Sequence, residues 1–196
     1  MLRIIFLLVV VGLSSCQDLE VIKPDGRDFC PQGEDLAALV DPMIGTNGQG
    51  NSVPAALVPH GMVKLGPDTN AKHMSVDAYQ YENTKIEGFT HTHLQGPGGS
   101  FNGYSHILMV PTVGALKTRK EEYASTFSHK TETASPGYYA VTLDDYKVKV
   151  ELTATAHAGV HRYTFPASTQ AQILIDLGHS LGESRDGKVQ ILDDRT

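Results

Sequence analysis

The 196-residue chain has no tryptophan, only two cysteines, and 16 Lys and Arg against 22 Asp and Glu. Each scarcity excludes something. Two cysteines at Cys16 and Cys30 are too few for a disulfide framework or a cysteine-based zinc site, and without a Cys-x-x-Cys pair there is no start for thiol redox chemistry. A formal net charge of -6 supplies no Lys/Arg stripe to neutralise phosphates, so a nucleic-acid surface is excluded. The glycine loop Gly45 to Gly50, "GTNGQG", lacks a following Lys-Ser/Thr and a strong strand before it, and reads as a turn, open to lining a ligand, rather than a phosphate cradle. Neither an internal repeat nor a low-complexity tract is present, and no acidic pair is spaced as an identifiable general acid and base.

What remains is globular. A hydrophobic content of 40% with 19% charged residues gives enough apolar material for one ordinary core. The start, "MLRIIFLLVVVGLSSCQD", has Arg3, then an apolar run from Ile4 to Leu13, then small residues ending at Cys16, the layout of a secretory signal. That run is shorter than the roughly 18 to 20 residues a membrane-spanning helix needs. Its end, "LSSC", resembles a bacterial lipobox, in which Cys16 becomes the lipidated first residue of the mature protein. Acyl chains anchor by burying methylenes at about 0.8 kcal/mol each, so a membrane partner is expected through lipid, not through a helix. The expected organisation is a signal peptide over 1–15, a tether over 16–34 rich in Pro and charge, and a single domain over 35–196.

The domain reads as all-β. "DLAALVDPMIG" predicts a short helix or extended segment that stops by Val40, because Pro42 pushes its predecessor out of the helical region. The Gly-, Pro- and Asn-rich stretch from Gly45 to Asn70 predicts loop with one short strand at about Met62 to Leu65. In "KVKVELTAT", Lys147, Lys149, Glu151 and Thr153 alternate with Val148, Val150, Leu152 and Ala154, the period of a half-buried strand. "YYAVTL", "GVHRYTFP" and "AQILIDLG" flank it after turns such as "SPG" and "LDDY", and together they predict an antiparallel β-sandwich. "GKVQILDDRT" predicts one more strand at about Lys188 to Leu192, and a sheet ending on such an unpaired edge is expected of a fragment.

The densest chemistry lies in "GFTHTHLQGPGGSFNGYSH", Gly88 to His106. If "FTHTHLQ" is a strand, His91 and His93 share one face with Phe89, and the two imidazoles stand side by side. Such a pair suits a metal ion, with His60 or His106 completing the site. It equally suits a sugar, because a neutral imidazole offers one donor and one acceptor and the "GPGG" backbone permits close approach. The third reading is packing, with the ring nitrogens bonded to neighbouring backbone.

Five blocks in order resemble the N-terminal domain of glycoside hydrolase family 92. They are "LVDPMIGTNGQGNSVPAALVPHGMVKLGPDT" (Leu39 to Thr69), "IEGFTHTHLQGPG" (Ile86 to Gly98), "YSHILMVPTVG" (Tyr104 to Gly114), "VELTATAHAGVHRYTFP" (Val150 to Pro166) and "ILIDLGH" (Ile173 to His179). The resemblance implies a galactose-mutarotase-like supersandwich, incomplete at its C-terminal end, from a calcium-dependent exo-α-mannosidase. It implies a partner (α/α)6 barrel absent from this chain, a mannose-containing glycan as substrate, and hydrolysis with inversion. Inversion uses two carboxyl groups about 6.5 to 9.5 Å apart, which the family draws from the barrel together with most of its calcium environment, so this chain alone is expected to be inactive. Matched to the family's "SHTHL" block, His91 and His93, with Gly96, Gly98 and Gly99 of the following loop, are expected to border the sugar pocket. His106 stands where the family often has Asp, and the missing tryptophan removes the commonest stacking platform for a sugar ring. Lipoprotein signals are common in the family, so the expected location is the cell envelope of a Gram-negative bacterium, lipid-anchored at the periplasmic face or the outer surface. Two other readings remain, a free-standing surface glycan-binding lipoprotein and a histidine-based metal-binding envelope protein.

Overall fold

The computed structural model describes residues 35–48, 50–69, 78–94, 104–181, 186–190 and 192. The expected signal segment and tether, with Cys16 and Cys30, and Gly96, Gly98 and Gly99 lie outside them. The chain divides into two units, Met1–Leu36 and Ala37–Thr196, and the strands belong to the second, which opens on a turn.

That turn is a 3-10 helix at Leu36–Leu39 ending ahead of Pro42, as the proline requires. Nine strands follow among the described residues, β1 (Gly66–Thr69), β2 (Lys85–Thr90), β3 (Leu108–Val113), β4 (Ser125–Thr126), β5 (Thr133–Ser135), β6 (Tyr138–Leu143), β7 (Val148–Ala154), β8 (Gly159–Thr164) and β9 (Ala171–Asp176). The only α-helix among the described residues is Lys120–Tyr123. One sheet runs β1-β2-β3-β9 with β4 also on β2, and the other runs β5-β6-β7-β8. Every pairing is antiparallel. Where β4 ends, Phe127 bridges Leu143 of β6 and ties one sheet to the other.

The sheets form a sandwich because each turns an apolar face to the other. Ile86 and Phe89 of β2, with Leu65, meet Tyr139, Val141, Leu143, Val148, Val150 and Leu152 of β6 and β7 in one buried cluster. Each such side chain removed from water contributes about 1.5 to 3 kcal/mol. The first sheet is covered on its other side too, by Leu108, Val110 and Tyr123 in one place and Val53, Ala55 and Tyr79 in another. Strand β2 is accordingly buried along nearly its whole length, which takes the polar Glu87 and Thr90 inside with it.

Two expectations need correction. The first strand lies at Gly66–Thr69, just beyond Met62 to Leu65, where only Leu65 makes an isolated bridge to Ala56. Gly66 and Pro67 read as breakers, but β1 pairs with β2 alone, and an edge strand tolerates a proline that cannot donate. The strand expected at Lys188 to Leu192 is absent from the described residues there, which are exposed and unpaired with any strand. Alternation is not sufficient without a ladder partner.

Candidate functional site

Strand β2 ends at Thr90, so His91 and His93 lie just past it and not on one strand face. The backbone pins this short segment from two sides. Lys64 N–H donates to the His91 carbonyl at 2.9 Å, and Ser105 N–H donates to the Thr92 carbonyl at 2.9 Å. Released from strand alternation, the two imidazoles enter different clusters, which corrects the side-by-side arrangement.

His93 goes inward and is 2% exposed. Its Nδ1–H donates to the Lys64 carbonyl at 2.8 Å, and its Nε2–H to Oδ1 of Asp68 at 2.7 Å. Both nitrogens face acceptors, so the ring donates twice, as a cation beside a carboxylate. From β9's far end, His179 Nε2–H donates to the other oxygen of Asp68 at 2.7 Å, and Thr90 Oγ1 donates to Oδ1 at 2.9 Å. Burial alone would raise the Asp68 pKa. The charge of His93 and the hydrogen bonds from His179 and His93 outweigh it and hold the carboxyl below its ordinary 3.8. This clamp joins β1, the histidine segment and the exit of β9, and both oxygens of Asp68 and both ring nitrogens of His93 are used within the protein.

His91 turns the other way, half-buried over β8. Its Nε2 lies 3.2 Å from Nε2 of His161, whose Nδ1 lies 2.7 Å from the Tyr163 hydroxyl. The alternation of β8 puts Gly159, His161 and Tyr163 on its inner face and Arg162 outside, where it grips Glu151 of β7. Gly159 is required here, since a Cβ on it would meet His91 Cδ2 at 2.4 Å and Nε2 at 2.6 Å. Burial lowers the pKa of His161 to about 4, helped by the neighbouring His91, and also lowers that of His91. The cluster is therefore a neutral, partly exposed row of imidazole, imidazole and phenol.

Around it, the "GTNGQG" loop is a turn, as expected. Gly45 has φ +82, Ser52 N–H donates to its carbonyl at 3.1 Å, and Tyr81 N–H donates to the Thr46 carbonyl at 2.9 Å. His60 is exposed with φ +60. Neither His60 nor His106 completes a metal site with the pair, for no group of three or more His, Cys, Asp or Glu could hold a metal ion among the described residues. Calcium takes six to eight oxygens. The oxygens of Asp68 are taken by His93, His179 and Thr90, and those of Glu132 by Tyr79, Tyr139 and His129, so neither of these two carboxylates fits that ion. No helix among the described residues is long and apolar enough to cross a membrane.

Asp68, His161, Tyr163 and His179 were not singled out from the sequence. For His161 and Tyr163 the signal was present, because the alternation that identified β8 also puts them on one face with Gly159. Asp68 and His179 carried no such signal, since 111 residues separate them and only the fold joins them.

Residues 39–196 match the model of the glycosyl hydrolase family 92 N-terminal domain. A family GH92 α-mannosidase of Bacteroides thetaiotaomicron, solved in complex with mannoimidazole, superposes with a TM-score of 0.72 at 38% identity over 77% of this chain and 21% of its own. A family GH92 inverting mannosidase of Bacteroides thetaiotaomicron superposes with a TM-score of 0.60 at 30% identity, over 70% of this chain and 19% of its own. A protein of Arthroderma benhamiae described as an uncharacterized secreted glycosidase is 28% identical over 173 residues, 83% of this chain and 22% of that one. The chain thus spans about a fifth of the length of these relatives.

Proposed function

Because this chain belongs to glycosyl hydrolase family 92 as its N-terminal domain, we propose that it forms the β-sandwich side of a mannose pocket in an exo-acting α-mannosidase that hydrolyses with inversion. The observation that carries this reading is the match over residues 39–196, supported by the 38% identity to a mannosidase solved with mannoimidazole. The chain's contribution is positioning. In this reading His91 and the loop bearing Gly96, Gly98 and Gly99 border the sugar, while His93, two residues beyond His91, is fixed to Asp68. Neutral His91 can accept from or donate to a sugar hydroxyl.

The acid and base that inversion requires come from a barrel domain in this reading, and so do the calcium ligands. What supports it is the commitment of the buried carboxylates inside the sandwich. Asp68 is held by two histidines, Glu132 by Tyr79, Tyr139 and His129, Glu151 by Arg162 and Tyr138, and Glu87 by Lys120. None is left to shuttle a proton. The expected outcome is that this polypeptide, folded and supplied with calcium, releases no mannose from an aryl α-mannoside. Steady mannose release that co-purifies with the folded chain would sink the reading. The envelope location rests on "LSSC", and Cys16→Ala is expected to free the protein from the membrane fraction; an unchanged distribution would remove the lipid anchor.

A further inference from the structure

The pairing of His91 with His161 has a use independent of mannoside chemistry. We infer that the two Nε2 atoms form a binding site for a transition-metal ion of the zinc, nickel or copper class, with solvent completing the coordination sphere.

The geometry comes first. Two imidazole nitrogens on one ion, each at about 2.0 to 2.1 Å, stand about 2.9 Å apart at a right angle and about 3.4 Å apart at the tetrahedral angle. The Nε2 atoms here are 3.2 Å apart, between those limits. The rings are not stacked; their planes tilt by 52° with centroids 4.9 Å apart, so their Nε2 edges converge.

The surroundings fix both ligands. His161 Nδ1 lies 2.7 Å from the Tyr163 oxygen, the outer-shell partner that a metal-binding imidazole needs to present its other nitrogen as a lone pair. The phenol oxygen can accept the Nδ1 proton, which leaves Nε2 as the lone-pair nitrogen. Gly159 supplies the space in which the His91 ring rests on the β8 backbone. Both rings are half-buried, leaving one side to solvent for the remaining ligands.

The class of ion follows from the donors. Neutral imidazoles suit zinc, copper and nickel, whereas a hard ion such as calcium asks for oxygens that the cluster does not offer. His93, which one of the three sequence readings paired with His91 on an ion, is excluded by its bonds to Asp68 and Lys64.

The test is calorimetric titration of the intact chain with zinc chloride and with nickel chloride in a non-chelating buffer. One saturable event is expected, weakened at least tenfold in His91→Ala and in His161→Ala, and weakened less in Tyr163→Phe. Gly159→Ala is expected to weaken it as well by displacing the His91 ring. His157→Ala, on the exposed turn before β8, is expected to leave it unchanged. Equal affinity in wild type and both histidine variants would overturn the site, as would no saturable binding in wild type. Should a variant fail to fold, the nitrogen chemical shifts of the wild-type imidazoles decide: zinc must move Nε2 of His91 and His161. Movement confined to other histidines refutes the assignment.

Discussion

Asp68 is a carboxylate taken out of water and repaired by its neighbours. Its side chain is 1% exposed, which in isolation would favour the neutral acid, yet His93 and His179 each place an N–H at 2.7 Å. The charge-assisted bonds win, and the pKa falls below 3.8. The sign of the pH effect follows. The folded pKa is depressed, so this contribution is complete above about pH 3.8 and is lost as pH falls through the lower folded value. Asp68→Asn keeps the shape and deletes the charge, leaving His93 buried beside a neutral amide. Breaking a buried pair this way costs about 3 to 5 kcal/mol. Urea unfolding at pH 7 is expected to show that loss, and acid titration of the variant is expected to lack the step below pH 4. A variant as stable as wild type would mean that the clamp contributes nothing net. The histidine motif was legible as a polar cluster but not as two separate ones, because strand alternation was extended past Thr90, where the ladder stops.

Strands β6 to β9 were legible because their signals are local: period-two alternation bounded by turns such as Ser135-Pro136-Gly137 and Leu143-Asp144-Asp145-Tyr146. Strand β1 was displaced in the reading because Gly66 and Pro67 speak against a strand locally, and the ladder to β2 that overrides them comes from residues about twenty positions away. Glu151 illustrates the remaining gap. Alternation assigned it to the outer face of β7, yet it is buried there, because Arg162 of β8, Tyr138 of β6 and Lys149 of β7 cover it. Hydrogen bonds from Arg162 and Tyr138 lower its pKa to about 2. The two faces of the second sheet should therefore respond differently to truncation. Leu152 on β7 is 1% exposed inside the sandwich, while Val160 on β8 is 50% exposed. Leu152→Ala is expected to cost about 2 to 5 kcal/mol, with a cavity term added to lost transfer. Val160→Ala is expected to stay within about 0.5 kcal/mol. Chemical denaturation of both variants checks the orientation of β7 and β8 directly; equal costs would contradict it.

The sandwich closes its core without closing its edges. Among the described residues, strand β9 pairs only with β3 and β8 only with β7, so each carries one side with no described ladder partner. Charged or polar side chains usually face outward on such a strand, since an apolar edge invites pairing with another copy. Here the exposed positions of β9 are Ile173 at 47% and Ile175 at 45% exposure, while Leu174 between them packs against the buried Leu108, Val110 and Tyr123. Two branched aliphatic residues side by side on an open edge form a patch whose burial is favourable at about 25 cal/mol per Å². Self-association of the purified domain should therefore depend on this face. Ile173→Lys with Ile175→Lys is expected to leave the fold intact, because neither side chain belongs to the core, and to repel a second copy by like charge. Sedimentation velocity over a range of concentrations tests it. The wild type should drift to larger species as concentration rises and the double variant should not, with both melting within a few degrees of each other. A wild type that stays monomeric throughout would show that the twist and shortness of the edge already protect it, and that the two isoleucines are tolerated in water.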